Sequence, residues 1–357
     1  MKIQAWKMLA LVLLLAIVTA CGNNAGSNGA GNGNSQATPN GQQEGNSQQE
    51  GNGEQSPNEL RKVQLMLDYT PNTNHTGIYV ARDLGYFAEQ GLEVEIIAPA
   101  DGGADAHVAA GNVEFGVSYQ ENVTLSRIAG LPVVSLAAVI QHNTSGFASP
   151  KDKGIETPKQ FEGMRYGGWG SPIEQATIES LMLAADADYD KMEIINMGNS
   201  DFFAAIERDI DFAWIFYAWT GIEAELRGVD LNMIYMKDYN ENLDYYTPVL
   251  VTSESLIAED PELVRSFVAA VAKGYQYSIE QPEQAAEVLI AAEPDLNPEL
   301  VKASQQWLSP RYQDDAPRWG EQKLSVWEGY ADWMFSNGLL EGELEAEKAF
   351  TNEFLPR

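Results

Sequence analysis

Strand and helix alternate in this chain in two successive series of the same order, and that repetition restricts the possible folds more than any other feature. Val63-Gln64-Leu65-Met66-Leu67 alternates as a strand does and runs into Asp68-Tyr69-Thr70-Pro71-Asn72-Thr73-Asn74-His75, a polar, turn-rich loop. A helical stretch over residues 76–90, a strand at 92–97, a helix ending near Gly111 and a strand at 113–119 complete a βαβαβ order. After a strand at 133–140 the chain passes through Gly146-Phe147-Ala148 into a polar stretch, and a second series follows. Its strands are predicted at 164–168, 193–195 and 212–216, with helices at 173–185 and 201–207, and a strand at 246–252 carries the chain back. Such alternation predicts an α/β protein with largely parallel sheets, whose ligands sit off the carboxyl ends of the strands. Two lobes joined by two crossings are expected: residues 61–148 with 247–357 as lobe one, and 149–246 as lobe two. The hinge is expected near residues 147–150 and 246–251, with the ligand cleft between the lobes. Beyond Pro261, residues such as Leu263, Val264, Phe267, Val268, Val271 and Tyr275 share one helical face, so these helices are expected to pack on the outside of lobe one.

The amino-terminal segment has a different character. Lys2 and Lys7 precede an apolar run over residues 8–18 and then Thr19-Ala20-Cys21, the pattern of an export signal ending at residue 20. The run falls short of the roughly 20 residues that span a bilayer. Residues 21–60 are almost wholly Gly, Asn, Gln, Ser and Glu, which predicts a disordered tether with too little apolar surface to offset ordering. The formal charge of −30, from 52 acidic and 22 basic residues, repels a phosphate backbone and argues against nucleic acid as a partner. Eight Trp and fifteen Tyr nevertheless require a packed body outside the tether. His75, His107 and His142 have no metal-ligand spacing and Cys21 is the only cysteine, so no metal site is expected. Gly102-Gly103 and Gly167-Gly168-Trp169-Gly170 lack both the phosphate-loop lysine and the dinucleotide spacing, so no nucleotide site is expected either.

Leu67-Asp68-Tyr69-Thr70-Pro71-Asn72-Thr73-Asn74-His75-Thr76-Gly77, followed by Gly85-Tyr86-Phe87-Ala88-Glu89-Gln90-Gly91-Leu92, resembles the family of thiamine-pyrimidine binding proteins. That family joins solute-binding proteins of ABC importers to the yeast pyrimidine synthase, and the resemblance runs over residues 63–355. It implies a two-lobed fold like that of periplasmic binding proteins. It also implies a monomeric, non-enzymatic receptor without cofactor that passes a formylaminopyrimidine or hydroxymethylpyrimidine ligand to an ABC permease for thiamine salvage. Val18-Thr19-Ala20-Cys21 resembles a lipobox, which implies cleavage before Cys21, lipidation of its sulfur and an extracytoplasmic protein anchored to the membrane. Tyr69 stands where the family usually has Trp. A riboflavin or other heteroaromatic ligand is the alternative within binding proteins. A pyrimidine synthase is the alternative of another class, and it would require a consumed histidine, a cofactor and a cysteine-rich loop. Asp244-Tyr245-Tyr246-Thr247-Pro248 occupies roughly the place of that loop without a cysteine.

An aminopyrimidine needs flat apolar faces and hydrogen-bond acceptors in a concave site. Tyr69, Tyr119 and Trp169 follow predicted strands and are candidate stacking rings, with plain core packing as the alternative for each. In Phe216-Tyr217-Ala218-Trp219-Thr220-Gly221-Ile222-Glu223, Trp219 and Glu223 are four apart, which on an α-helix puts ring and carboxylate on one face, beside Tyr217. An exposed helical Glu beside a core Trp is the alternative. Asp68, Asn74, His75 and Glu121 are candidates to orient the ligand, while Asp68 and His75 equally suit capping of the next helix. Glu174 closes the capping box Ser171-Pro172-Ile173-Glu174, so its first duty is structural and it ranks below Glu223.

Overall fold

The computed structural model describes residues 60–357 apart from Asn199; the expected export signal, the tether and Cys21 lie outside the described residues. Ten strands are described: β1 Arg61–Met66, β2 Leu92–Ile97, β3 Phe115–Ser118, β4 Val133–Ala138, β5 Ser145–Pro150, β6 Arg165–Gly168, β7 Glu193–Asn196, β8 Phe212–Phe216, β9 Leu231–Tyr235 and β10 Val249–Ser253. They form two five-stranded sheets, ordered β2-β1-β3-β10-β4 and β7-β6-β8-β5-β9. The protein is therefore a two-lobed α/β fold. In each sheet one strand runs against its neighbours: β10 is antiparallel to β3 and β4, and β5 to β8 and β9. These are the strands that enter each sheet directly from the other lobe, which is why they alone run backwards. No helix among the described residues is long and apolar enough to cross a membrane.

Burial follows what covers each strand rather than its place in the sheet: β4 is an edge strand like β2, but Phe350 and Gly320 bridge to it. The edge strand β2 alternates at its start, with Leu92 and Val94 inside and Glu93 and Glu95 outside, whereas β4 and β10 are buried along their whole length. Strands covered on both faces read as unbroken apolar or small-residue runs, and Val133-Val134-Ser135-Leu136-Ala137-Ala138 is one.

Two expectations need correction. Residues 147–150, expected at the hinge, lie inside β5, paired on both sides within the second sheet. The chain leaves the first sheet after Ala138 and enters the second at Ser145, so the outward crossing is residues 139–144. There His142 Nδ1 lies 2.6 Å from Asp244 Oδ2, and the Asn143 amide donates to Asp244 Oδ1 at 2.8 Å, so the outward and return crossings are tied together. The carboxy-terminal helices do not stay on lobe one. The helix Leu324–Ser336 sets Trp327 into a first-lobe cluster with Val249 and Val251, and Tyr330, Trp333 and Met334 into the second-lobe cluster around Phe147 and Phe212. Amphipathic spacing reveals that a helix has a buried face, but not that the face is shared between two cores.

Helix Thr76–Asp83 crosses helix Pro261–Glu280 at Gly77 and Gly274, where a methyl group on Gly274 would meet the Gly77 carbonyl and one on Gly77 would enter the Tyr275 ring. This close approach holds the preceding loop. Tyr275 Oη donates to the Asn74 carbonyl at 2.6 Å and Tyr312 Oη to the Thr73 carbonyl at 2.5 Å.

Candidate functional site

A cavity of about 600 Å³ opens where the strand ends of the two sheets meet. Asp68 and Tyr69 reach it from just beyond β1, Tyr119 and Glu121 from beyond β3, Trp169 from beyond β6, and Phe216 from the end of β8. Thr144 and Thr247 line it just before β5 and β10, because the amino ends of reversed strands fall at the same edge as the carboxyl ends of their neighbours. The ligand position expected of an α/β sheet is thus supplied twice over.

The lobe-one wall is built from the polar loop after β1. The Asn72 side chain accepts the Asn74 amide at 2.9 Å, and the His75 Nδ1 accepts the Asn72 amide at 3.2 Å, a reciprocal cap on the first turn. With Nδ1 an acceptor, the proton of the neutral ring sits on Nε2, which donates to Asp68 Oδ1 at 2.7 Å. Burial pushes the Asp68 carboxyl up, but the His75 ring and a hydrogen bond from the Tyr119 hydroxyl more than offset it and hold Asp68 below its ordinary range. Burial and the neighbouring Asp68 charge push the Tyr119 phenol up, so it remains a donor. Asp68 is therefore a fixed carboxylate at neutral pH. Glu121 differs: it receives no hydrogen bond from any described residue, and burial raises its carboxyl to about 7.

Tyr69 is 64% exposed and Trp169 is 48% exposed, so each lobe contributes a ring that the protein itself leaves largely uncovered. Trp169 packs against Trp214, with ring centroids 5.4 Å apart, and the indole N–H of Trp214 is buried without an acceptor among the described residues. The loop carrying Trp169 is set by Glu174. Its carboxylate accepts the Trp169 amide at 3.0 Å, the Ser171 amide at 2.9 Å and the Tyr166 hydroxyl at 2.6 Å. Gly168 leaves room for that carboxylate, and Gly170 makes the turn at φ 83°. The capping box read from the sequence is present.

Of the residues singled out beforehand, Asp68, Tyr69, Asn74, Tyr119, Glu121, Trp169 and Trp219 line the cavity. His75 does not. It is fully buried and acts through Asp68. Tyr217 and Glu223 are also outside: Tyr217 packs against Trp307 and donates to Glu225, and Glu223 pairs with Arg227. Trp219 lies in the π-helical turn Tyr217–Gly221 and Glu223 in the α-helical turn Ile222–Arg227 that follows, where it is held by Arg227 and does not line the cavity. Glu223→Gln is accordingly expected to leave stability and ligand affinity within about 0.5 kcal/mol of the parent, checked by urea unfolding and titration calorimetry. Trp214, Thr144 and Tyr245 were missed. Trp214 lies inside a strand and the other two in crossings, so nothing in their local pattern distinguishes them from core or connection. Among the described residues there is no group of acidic, His or Cys side chains able to hold a metal.

The chain is similar to named binding proteins and to a pyrimidine phosphate synthase. The formylaminopyrimidine-binding protein of Halalkalibacterium halodurans is 28% identical over 82% of this chain and 90% of its own length. The 4-amino-5-hydroxymethyl-2-methylpyrimidine phosphate synthase of Legionella pneumophila is 25% identical over 83% of this chain and 92% of its own. The riboflavin-binding protein RibY of Chloroflexus aurantiacus is 24% identical over 83% and 87%. Among solved structures, the periplasmic aliphatic sulphonate binding protein SsuA of Escherichia coli superposes with a TM-score of 0.64 at 13% identity, over 82% of this chain and 92% of that one, a likeness of fold. Residues 72–285 match the family described as NMT1/THI5 like, and since that match takes in well over half of the chain and the similarity to binding proteins extends across both lobes, this protein belongs to the NMT1/THI5-like family.

Proposed function

We propose that this protein is the extracytoplasmic solute-binding component of an ABC importer and that it captures a thiamine-related aminopyrimidine, formylaminopyrimidine or hydroxymethylpyrimidine. The observation that carries the reading is the pairing, in one cavity, of uncovered rings from opposite lobes with two carboxyls of different character. Tyr69 and Trp169 offer flat faces to a planar ring, while Asp68 and Glu121 offer acceptors to its amino group. The similarity to a protein named for binding formylaminopyrimidine supports the same ligand class. Closure of the lobes about the tied crossings at residues 139–144 and 244–248 would bury the ligand, and the closed form would dock on the permease as a monomer. Lipid on Cys21 would hold the protein at the membrane, a point tested by mass spectrometry of the mature amino terminus.

A synthase reading has less support from this site. No histidine is among the residues that line the cavity, and His75 is enclosed behind Asp68 with both ring nitrogens engaged. Riboflavin is the second reading, favoured by a cavity volume within the range of drug-sized ligands.

Titration calorimetry of residues 60–357 with formylaminopyrimidine, 4-amino-5-hydroxymethyl-2-methylpyrimidine, thiamine and riboflavin separates these readings. Binding of an aminopyrimidine without riboflavin heat is the expected result, and riboflavin binding alone would replace the ligand. Trp169→Ala is expected to cost about 1–3 kcal/mol of aminopyrimidine affinity, the usual worth of one aromatic stacked on a base. Unchanged affinity would place the ligand elsewhere.

A further inference from the structure

The two carboxyls facing the cavity are not equivalent. Asp68 is committed, since its oxygens receive the His75 Nε2–H and the Tyr119 hydroxyl. Glu121 sits two residues past Tyr119 in the first turn of the helix Gln120–Ile128, half-buried, with no cation beside it and no donor engaged to it among the described residues. The titratable groups around it are Tyr119, Tyr245 from the return crossing and Tyr330 from the helix Leu324–Ser336, and Asp68 from beyond β1 lines the same cavity. Burial, and then the Glu121 charge, push the Tyr245 phenol up; on Tyr330, burial leads, followed by Tyr245 and then Glu121. Every one of these neighbours is acidic or neutral. A carboxyl so placed is easier to hold protonated than ionised, and a protonated carboxyl has one O–H donor and one acceptor side by side.

We infer that Glu121 is the specificity determinant of the site, selecting ligands that present an amidine-type edge, a ring nitrogen flanked by an exocyclic amino group, and that it binds them with a shared proton. The Glu121 O–H donates to the ring nitrogen while its other oxygen accepts the amino N–H. The pair contains one proton beyond those of the carboxylate and the neutral ligand, and above neutrality that proton comes from solvent. Asp68, already ionised, cannot play this part. The inference rests on the aminopyrimidine reading and goes beyond it by naming the edge that is read and the protonation state that reads it.

The linkage has a definite sign. Below about pH 7 the empty site already carries the proton and affinity is nearly level. Above it, binding must take up one proton, and the association constant falls about tenfold per pH unit. A ligand without the edge, such as riboflavin, would show no such slope.

The test is calorimetry with 4-amino-5-hydroxymethyl-2-methylpyrimidine from pH 6 to 9, repeated at pH 8 in buffers of different ionisation enthalpy to count protons. Uptake of about one proton at pH 8 is expected for the parent. Glu121→Gln, whose amide has the same donor and acceptor pair without titrating, is expected to give a flat profile and to bind more tightly than the parent at pH 9. Glu121→Ala is expected to bind weakly throughout. Its thermal melting at pH 6 shows whether that loss comes from the site or from failure to fold, and the flat profile of the Gln variant keeps the inference testable in either case. Tight binding with no proton uptake, or a slope that persists in Glu121→Gln, would overturn the inference while leaving the proposed function intact. Absence of binding by any aminopyrimidine would remove both.

Discussion

Gly274→Ala is expected to lower the free energy of unfolding by about 2 kcal/mol, although helix propensity alone predicts a gain. Gly274 lies inside the 20-residue helix Pro261–Glu280, where replacing Gly by Ala stabilises an unhindered helix by about 1 kcal/mol. Packing acts in the opposite direction. The added methyl would fall on the carbonyl oxygen of Gly77 in the facing helix, a backbone atom that cannot rotate away. Overpacking of this kind costs about 1–3 kcal/mol or more when backbone has to shift, so the clash outweighs the propensity gain. Helix separation would also displace Tyr275, whose hydroxyl holds the Asn74 carbonyl, and with it the loop that forms the lobe-one wall. Loss of stability should therefore be accompanied by weaker ligand binding. Gly329→Ala is the control, since its methyl meets only the end of the Asn242 side chain, and that variant should be close to neutral. Urea unfolding of both variants decides the matter: a stabilised Gly274→Ala would mean that the two helices are free to separate at no cost.

Asp68→Ala is expected to cost about 3 kcal/mol of stability and most of the ligand affinity. His75 is fully buried, and its Nε2–H would lose its only acceptor while the Tyr119 hydroxyl lost its partner. A buried donor left unpaired costs about 1–3 kcal/mol, and losing the charged acceptor adds to that. Asp68→Asn keeps an acceptor for His75 and should recover most of the stability but not the charge offered to the ligand. The pH dependence has its own sign. The folded Asp68 carboxyl lies below its unfolded value, so its contribution is complete above the ordinary Asp range and is lost as pH falls below that range towards the lowered folded value. Acid unfolding of the parent should thus be steeper than that of Asp68→Asn below about pH 4. Coincident acid transitions would show that the Asp68 carboxyl gains nothing from His75 and Tyr119 in the folded state.

Local pattern was sufficient for much of the cavity lining. Tyr69, Tyr119 and Trp169 were legible because each follows a strand whose end is marked by a change from apolar alternation to polar or glycine-rich sequence, and in an α/β sheet that is where ligands are met. The Ser171–Glu174 cap was legible for the same reason, since its partners are three residues apart. The strand β5 was not. Ser145-Gly146-Phe147-Ala148-Ser149-Pro150 has little strand character of its own and is held by β8 and β9, roughly 65 to 90 residues further along the chain.

The division between the two sources of information is physical. The amino-acid sequence by itself determined most of the order of elements, the two-lobed class and the loops in which many of the cavity-lining groups lie, because periodicity, caps and turns depend on neighbours within a few residues. Only the tertiary structure decided that β5 and β10 run backwards, that the helix Leu324–Ser336 serves both cores, and that Glu223 pairs with Arg227 outside the cavity. It alone decided that His75 fixes Asp68 as a carboxylate while Glu121 is left without a partner. Apart from the Asp68–His75 bond, which spans 7 positions, and the Glu223–Arg227 pair, which spans 4, those outcomes depend on contacts between residues far apart in the chain and on the low dielectric that packing creates, neither of which leaves a mark on local sequence pattern.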